Sequence, residues 1–551
     1  MEEPEQSLPV EDERQDRSCK LGELRRSFSS RFSLRHSPPF LASCVTGYWL
    51  CKDRSRPLCK RRRGNVHSAS NKVYLPYSCV PSVDRVSVTA QLNLFRNLPA
   101  VRISFLLAAG WLVGIPALAL ADGFRNPLHD AAAIGQGNAF AAQADNASAV
   151  FYNPAGMTQL SGVHVAGGAQ FVSINTKFTS PTGTTTTNTT PAIGLPPPAQ
   201  FFITARLKDL GVETLGNLSV GLGVQNLYGF AAKFPDGGPF NTAVTFAQLP
   251  LLAIKPTLAY KISEALSLGL GADVYTFASF LGEGQAERRS QASPISGFPA
   301  GTQLELSGKG TTAGINASLL WTPWRTEDGK PKLSLGAVWR SQAVLPLNGN
   351  LHANGTLVAD ASTQARLPEV WTGGLAFWPL RGQDREWKLE VDVDYVRWQA
   401  IRSADVYLSN GSILPSPQQW KNAITINVGT EYRWLGLSDS RAWDLAIRTG
   451  YSRSHTPVTD LNFDPAFADN DVQIASAGLG VLCHGSGKFF GVFECTSSGN
   501  APFSRRAIGI DVAYQAFLFD TRLVTGNPNP TVNGTYRTTN HAGAVTFRAL
   551  F

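Results

Sequence analysis

The chain has 551 residues, 43% of them hydrophobic, and a formal net charge of +8 at pH 7. Residues 1–121 contain 18 Lys and Arg against 10 Asp and Glu, whereas 31 basic residues balance 31 acidic ones in 122–551. The larger part of the chain therefore has no charge excess that would indicate a nucleic-acid partner. It also has no apolar run of 18 or more residues, which excludes spanning by a helix.

A secretory signal sequence is predicted at residues 101–121. Arg102 supplies the positive region, an apolar stretch follows, and Ala119-Leu120-Ala121 fits the small-x-small cleavage rule. Cleavage after Ala121 would start the mature chain at Asp122. A retained membrane helix is the alternative, and Pro116 together with the cleavage site disfavours it.

Residues 1–100 precede this signal. They contain the basic run Lys60-Arg61-Arg62-Arg63, scattered serines and no sustained periodicity. This composition predicts a disordered leader or a start codon that was assigned too early.

Two of the seven cysteines follow the signal, Cys483 and Cys495. A pair in an exported chain predicts a disulfide that closes one loop. Zinc is the alternative, but two thiols with one nearby His484 make a poor four-ligand site, so we predict no metal.

The first predicted element after the signal, residues 122–162, is rich in small residues and lacks strand alternation. Beyond it, apolar and polar residues alternate with a period of two, which predicts β-strands over 163–551. In the clearest case, Trp387 to Tyr395 places apolar residues on one face and Lys388, Glu390, Asp392 and Asp394 on the other. Fourteen strands are predicted near 165–178, 198–208, 216–230, 247–262, 265–280, 307–324, 331–345, 366–378, 386–399, 421–434, 442–454, 470–483, 504–521 and 536–551.

A soluble β-sandwich with one wet face would show the same alternation. A transmembrane barrel is favoured because Trp residues lie near strand ends, because short and long connections alternate, and because the number of strands is even. The last strand closes on Phe551, which resembles the signal read by the barrel assembly machinery. The Trp residues expected in girdles at the two membrane interfaces are 371, 378, 387, 398, 434 and 443. The connections expected to be long and polar are 281–301, 346–364, 400–420, 454–470 and 523–535.

A barrel of fourteen strands has a lumen too wide for its own side chains to fill. It must be plugged or it must be a pore. Residues 122–162 are predicted to fold inside the barrel as a compact hatch, because small residues permit close backbone packing.

Enzyme motifs are weak in this chain. Gly485-Ser486-Gly487-Lys488 lacks the glycine spacing of a phosphate loop and is followed by Phe489. There is no H-E-x-x-H and no G-x-S-x-G. We predict no enzyme and no cofactor; a general diffusion porin and a structural or adhesive barrel stay open as alternatives, and an outer-membrane lipase is less favoured.

Several motifs make 122–551 resemble the FadL and toluene-transport family of outer-membrane transporters. The most specific ones lie in the hatch, and others lie in the third and eleventh strands. They are Gly123-Phe124, Gly135-Gln-Gly-Asn-Ala-Phe140, Ala144-Asp-Asn-Ala147, Asn153-Pro154-Ala155-Gly156, Leu227-Tyr-Gly-Phe230 and Arg448-Thr-Gly-Tyr451.

The resemblance implies an all-β protein, a 14-stranded antiparallel transmembrane β-barrel with a small N-terminal hatch in the lumen, in the bacterial outer membrane and working as a monomer. It implies passive uptake of hydrophobic small molecules, either long-chain fatty acids or aromatic hydrocarbons. The ligand would meet an extracellular apolar groove, enter an internal pocket and leave sideways into outer-membrane lipid through a kink in the third strand.

The resemblance also implies roles for individual residues. Asn153, Pro154 and Ala155 would hold a fixed turn of the hatch, although Asn-Pro is also an ordinary turn initiator. Three glycines would supply the kink, or would merely make room in a crowded lumen; they are Gly221, Gly223 and Gly229. The sequence departs from the family's usual proline near the kink and has Asn226-Leu227-Tyr228 there.

Ligand contacts are expected from the hatch tip, the third strand, the loop after it, the fourth strand and the eleventh strand. They are Phe124, Leu227, Tyr228, Phe230, Phe234, Leu251 and Arg448, with Phe240, Leu249 and Leu252 as further candidates for the outer groove. A ligand carboxylate would be received by Lys255, Arg340 or Arg448. The other charged lumen residues, such as Glu390, Asp392, Asp394 and Glu431, are expected to form structural ion pairs.

Overall fold

The computed structural model describes residues 122–190, 193–277, 284–293, 297–438, 440–497 and 504–551, with the backbone alone at 193–199. The predicted leader at 1–100 and the predicted signal sequence at 101–121 lie outside the described residues. Within the described residues no helix is both long and apolar enough to cross a membrane.

Fourteen antiparallel strands form one closed barrel, because each strand pairs with the next and the last pairs with the first. The closing pair runs from His164 opposite Leu550 to Thr179 opposite Thr535. The prediction of an all-β, fourteen-stranded barrel is confirmed. The strands are β1 Val163–Thr179, β2 Ile193–Arg206, β3 Leu218–Tyr228, β4 Leu251–Lys261, β5 Leu266–Phe277, β6 Thr312–Arg325, β7 Pro331–Arg340, β8 Val370–Arg381, β9 Arg385–Val396, β10 Ala423–Leu437, β11 Trp443–Ser454, β12 Val472–His484, β13 Ala507–Phe519 and β14 Gly534–Leu550.

The two faces of the wall differ as the period of two predicts. On β9, Leu389 and Val391 are exposed on the outside, whereas Lys388, Glu390 and Asp392 are buried towards the lumen. An apolar outer face and a polar inner face are the pattern of a barrel in a membrane.

Two of the six Trp residues expected in the girdles were placed wrongly. Trp378 is 3% exposed and packs against Ala142 of the hatch, and Trp398 is 0% exposed beyond the end of β9. Both are an even number of residues from inward-facing positions of their strands, so the pleat turns them inward.

The connections differ in length at the two ends of the barrel. Turns such as 262–265, 326–330 and 382–384 define what we call the short-turn end, and the opposite end is the long-loop end. Three connections expected to be polar loops, 281–301, 346–364 and 400–420, instead contribute strands to a second sheet. That eight-stranded sheet contains Ala231–Lys233, Phe246–Gln248, Ala286–Gln291, Gln303–Lys309, Ala343–Ala353, Thr356–Leu367, Val406–Leu408 and Ile413–Leu414.

Residues 122–162 fill the lumen as a hatch; residues 128–160 are almost all buried, and 122–127 are partly buried. The hatch contains the short helices α1 Ala131–Ile134 and α2 Ala149–Tyr152 and a 3-10 helix Pro154–Gln159. Its backbone lies directly against the wall, because a Cβ at Gly336 or Gly450 would overlap hatch backbone atoms. Glycine is needed at these wall positions for close approach.

Candidate ligand pocket and gate

Two wall carboxylates anchor the body of the hatch. Four successive backbone N–H groups at 140–143 donate to them: the first two to Asp392 at 2.7 and 2.8 Å, the next two to Glu390 at 2.7 and 3.1 Å. Lys388 Nζ donates to Glu390 and to the Gln143 side chain, each at 2.7 Å. Hydrogen bonds to charged groups in a dry interior are the strong ones, so these contacts fix the hatch body.

Asn153 joins two parts of the hatch to the wall. Its Oδ1 accepts from Ala155 N at 3.1 Å, and its Nδ2 donates to the carbonyls of Ala141 at 2.7 Å and Leu319 on β6 at 3.0 Å. Pro154 begins the 3-10 helix that follows, where its missing N–H costs nothing.

The cationic residues of the lumen differ in their partners. Arg448 donates to Glu431 at 2.6 Å and to Asp511 at 2.7 Å, and Lys255 pairs with Asp273. These cations are already neutralised, so we assign Arg448 to the structural ion pairs of the lumen and not to the ligand.

Arg340, at the end of β7, has a different environment. Its guanidinium is 5% exposed, lies 4.5 Å from the Phe151 ring centroid and donates to the Phe151 carbonyl. Among the residues that the structure describes, no carboxylate pairs with it, and its Nε has no partner. A buried guanidinium without a counter-ion can receive an anionic group.

The tip of the hatch, residues 122–127, pairs with the end of β3. Asn126 N donates to the Leu227 carbonyl at 2.9 Å, and Gly229 N donates to the Phe124 carbonyl at 3.0 Å. The pairing of β2 with β3 stops at Gln200 opposite Gln225. The hatch tip therefore takes the place of β2 beside the last residues of β3.

The irregularity of β3 lies at Asn226-Leu227. The register of β3 against β4 shifts by one residue between Gln225 and Tyr228, which is a β-bulge. Gly221 and Gly223 lie before it, in the regularly paired part of the strand.

The two glycines within β3 approach the hatch, and Gly229 approaches a connection. A Cβ at Gly221 would lie 2.5 Å from Met157 Sδ, and one at Gly223 would lie 3.0 Å from Val150. Room in a crowded lumen thus accounts for these two glycines. Gly229 follows the bulge, where a Cβ would lie 2.8 Å from the Leu249 carbonyl oxygen.

Five aromatic rings surround the side chain of Phe124, and we call them the aromatic cage. They come from β3 and from the connections that follow β3, β9 and β11, so the cage joins distant parts of the chain. The ring centroids are 4.9 Å away at Trp398, 5.8 Å at Trp420, 5.9 Å at Tyr228, 6.2 Å at Phe230 and 6.5 Å at Phe467.

A cavity of about 120 Å³ lies beside the hatch tip. Gly123, Arg125, Phe151, Arg340 and Asp469 are among its lining residues. A Cβ at Gly123 would also lie 2.8 Å from the Trp398 ring, so the tip separates this cavity from the aromatic cage.

Two carboxyl groups at the tip are held in an environment that disfavours charge. Asp469 accepts from Gly123 N at 3.2 Å and from Thr456 Oγ1 at 2.8 Å, and burial raises its pKa to about 7. Burial also raises the pKa of Asp122 to about 6, although Arg125 at 3.1 Å acts in the opposite direction.

The chain matches the family model described as outer membrane protein transport protein (OMPP1/FadL/TodX) over residues 113–484. It belongs to this family. It is 23% identical over 437 residues to the long-chain fatty acid transport protein of Escherichia coli K12, a match that covers 71% of this chain and 89% of that protein.

Solved structures of family members show the same fold. A Pseudomonas aeruginosa FadL homologue superposes with a TM-score of 0.61 at 17% identity, covering 78% of this chain and all of that one. The Ralstonia pickettii toluene transporter TbuX gives 0.50 at 14% identity and covers 77% and 98%. The resemblance and the outer-membrane location are therefore confirmed, and in this membrane the short-turn end faces the periplasm.

Several residues that we expected to line an outer groove are buried inside the protein. They are Phe234, Phe240, Leu249 and Leu251. The ring centroid of Phe240 lies 4.6 Å from that of Phe178. Sequence reasoning missed the place of Trp420 and Phe467 in the cage, because both lie in connections where no periodicity indicates which way a side chain points.

Cys483 and Cys495 form a disulfide at the short-turn end. The Cα atoms of Cys483 and Cys495 are 5.6 Å apart. Among the described residues no group of three or more His, Cys, Asp or Glu is arranged to hold a metal ion.

Proposed function

We propose that this protein takes up hydrophobic compounds across the outer membrane by passive diffusion, with long-chain fatty acids as its main substrate class. The observation that carries the proposal is the Phe124 ring inside the aromatic cage. The cage offers a dry site in which each buried CH₂ contributes about 0.8 kcal/mol. A water-filled pore would offer no such gain.

The hatch tip would act as the gate. A ligand that enters the cage must displace the Phe124 ring. The carbonyl of the same residue accepts a hydrogen bond from Gly229 N, so displacement of the ring would also pull on the backbone pairing with the end of β3. Withdrawal of the tip would leave the end of β3 without a partner on the β2 side, next to the bulge at Asn226-Leu227. This is where we place the lateral exit into the membrane.

The positive charge of Arg340 favours a fatty acid over a hydrocarbon as the substrate. The cavity that it lines lies on the other side of the tip from the aromatic cage. A carboxylate at Arg340 with its chain in the cage would use both sites at once, because the guanidinium gains a charged partner while the chain leaves water.

The cage is tested by titrating the purified protein with a fluorescent fatty-acid analogue. Trp420→Ala removes a wall of the cage and should weaken binding by about tenfold, whereas Phe124→Ala removes the ring that competes with the ligand and should strengthen binding by about tenfold. Phe171→Ala, on the exposed outer wall, is the matched control. Equal losses in Phe124→Ala and Trp420→Ala would contradict displacement, and no change in either would show that the ligand binds elsewhere.

A further inference from the structure

The connection between β12 and β13 differs from the other described connections at the short-turn end. Three of those are the brief turns 262–265, 326–330 and 382–384, whereas this one runs from 485 to 506. Its described part contains a small hairpin, Lys488–Phe489 paired with Phe493–Glu494, next to the Cys483–Cys495 disulfide. We call residues 488–494 the rim hairpin.

The rim hairpin is seated on the outside of the barrel. Phe489 stacks on Trp443 with centroids 5.7 Å apart, and it packs with the disulfide in one buried cluster. Val481, Ile508 and Ile510 of the wall pack against this cluster. They alternate with Gly480 and Asp511, which face the lumen beside Arg448, so the cluster lies on the lipid-facing side.

The tip of the rim hairpin is apolar and points away from the protein. Phe490, Val492 and Phe493 are 78%, 73% and 62% exposed. Phe490 has a φ of 53°, a left-handed conformation that is unfavourable for a bulky residue and normally occupied by Gly or Asn. The chain thus holds a phenyl ring outward at a position where a polar turn residue would be more stable.

We propose that the rim hairpin is a membrane anchor that inserts Phe490, Val492 and Phe493 into the periplasm-facing leaflet of the outer membrane. Its base is continuous with the lipid-facing wall and contacts Trp443, an outward aromatic residue at the membrane interface. Aromatic and aliphatic side chains at this depth gain by leaving water for the boundary between headgroups and acyl chains. The disulfide holds the hairpin against the wall at that depth.

The anchor is tested by photo-crosslinking of the whole protein in vesicles of phosphatidylethanolamine and phosphatidylglycerol and in isolated outer membranes. p-Benzoylphenylalanine replaces Phe490 or Phe493 in turn. The same group at Leu479, on the outer wall of β12, is the lipid-facing control, and at Leu461, in an exposed connection of the long-loop end, it is the water-facing control. Phospholipid adducts, detected by mass, are expected at 490, 493 and 479 and absent at 461.

Adducts at 479 without adducts at 490 and 493 would overturn the anchor. A protein adduct at 490 in isolated membranes would overturn it too, because the exposed rings would then serve a protein partner. The double variant Cys483→Ser with Cys495→Ser should lose the lipid adduct at 490 and keep the one at 479. Retention of both would overturn the role assigned to the disulfide.

Discussion

The body and the tip of the hatch are held in the same lumen by different kinds of contact. The body donates backbone hydrogen bonds to the carboxylates of Asp392 and Glu390 and lies against glycines of the wall. The tip is held by ring contacts of Phe124, by backbone bonds to the end of β3 and by two polar contacts, from Gly123 N to Asp469 at 3.2 Å and from Arg125 to Asp394 on β9 at 2.8 Å. A hydrophobic ligand can replace the ring contacts of the tip, whereas it has no substitute for the charged hydrogen bonds that hold the body.

This difference indicates which part can move. Withdrawal of the body would leave buried carboxylates without donors, which is costly in a low-dielectric interior. Withdrawal of the tip breaks fewer polar contacts, those of Arg125 with Asp394 and of Gly123 N with Asp469, and it exposes an apolar cage that a ligand then fills. A barrel built in this way can stay plugged against polar solutes while its gate opens.

The largest expected effect comes from removing an anchor of the body. Asp392→Ala leaves the N–H groups of Phe140 and Ala141 without an acceptor and should destabilise the seated hatch by about 3 kcal/mol. The variant should then conduct ions in planar bilayers, in contrast to the parent protein. The matched control is Glu327→Ala, an exposed carboxylate in the turn at 326–330.

A parent protein that conducts as strongly as Asp392→Ala would contradict the plugged barrel. It would favour the general diffusion porin, because the lumen would then be open with the hatch in place.

An intermediate effect is expected at the cavity beside the tip. Arg340→Gln removes the guanidinium that has no carboxylate partner and should weaken fatty-acid binding by about 10- to 100-fold, which corresponds to one hydrogen-bonded charge. Binding of an uncharged aromatic hydrocarbon should be unchanged, because it offers nothing for Arg340 to neutralise. Arg537→Gln, an exposed residue of β14, is the control. Equal losses for both ligands would place Arg340 among the structural residues.

The sequence predicted the barrel well because a membrane and a polar lumen impose a period of two on every strand. Trp378 and Trp398 show how the same rule could have been taken further. Their even spacing from the inward-facing residues of β8 and β9 already indicates the inward side, but their position near strand ends suggested a girdle. Parity decides the face, and position along the strand decides only the depth.

The candidate site was harder to predict, for two physical reasons. Lys255, Arg340 and Arg448 all face the lumen, and which of them lacks a counter-ion depends on the strand register, which alternation does not determine. Trp420 and Phe467 reach the cage from connections without periodicity. Chain folding over long sequence separations, and not local pattern, brings them to Phe124.

The smallest expected effect is the pH dependence of the tip. Burial raises the pKa of Asp469 from 3.8 to about 7 and outweighs the hydrogen bonds from Thr456 and Gly123 N, which act in the opposite direction. Because the docked tip contributes to this burial, we expect it to bind a proton more tightly than the released tip. Docking is therefore most stable below about pH 4 and weakens as the pH rises towards 7, with a smaller parallel contribution from Asp122, whose pKa is raised to about 6. Above about pH 7 no further change is expected.

An uncharged aromatic hydrocarbon reports this effect, because it does not titrate and it competes with the docked tip for the cage. Its affinity should rise by about threefold to tenfold from pH 5 to pH 8, below the limit of tenfold per pH unit for one proton. Asp469→Asn should remove most of the rise, whereas Asp360→Asn, which removes an exposed carboxylate of the long-loop end, should keep it. A rise that persists in Asp469→Asn would show that another group controls the tip, and a fall in affinity with pH would contradict the direction of the coupling.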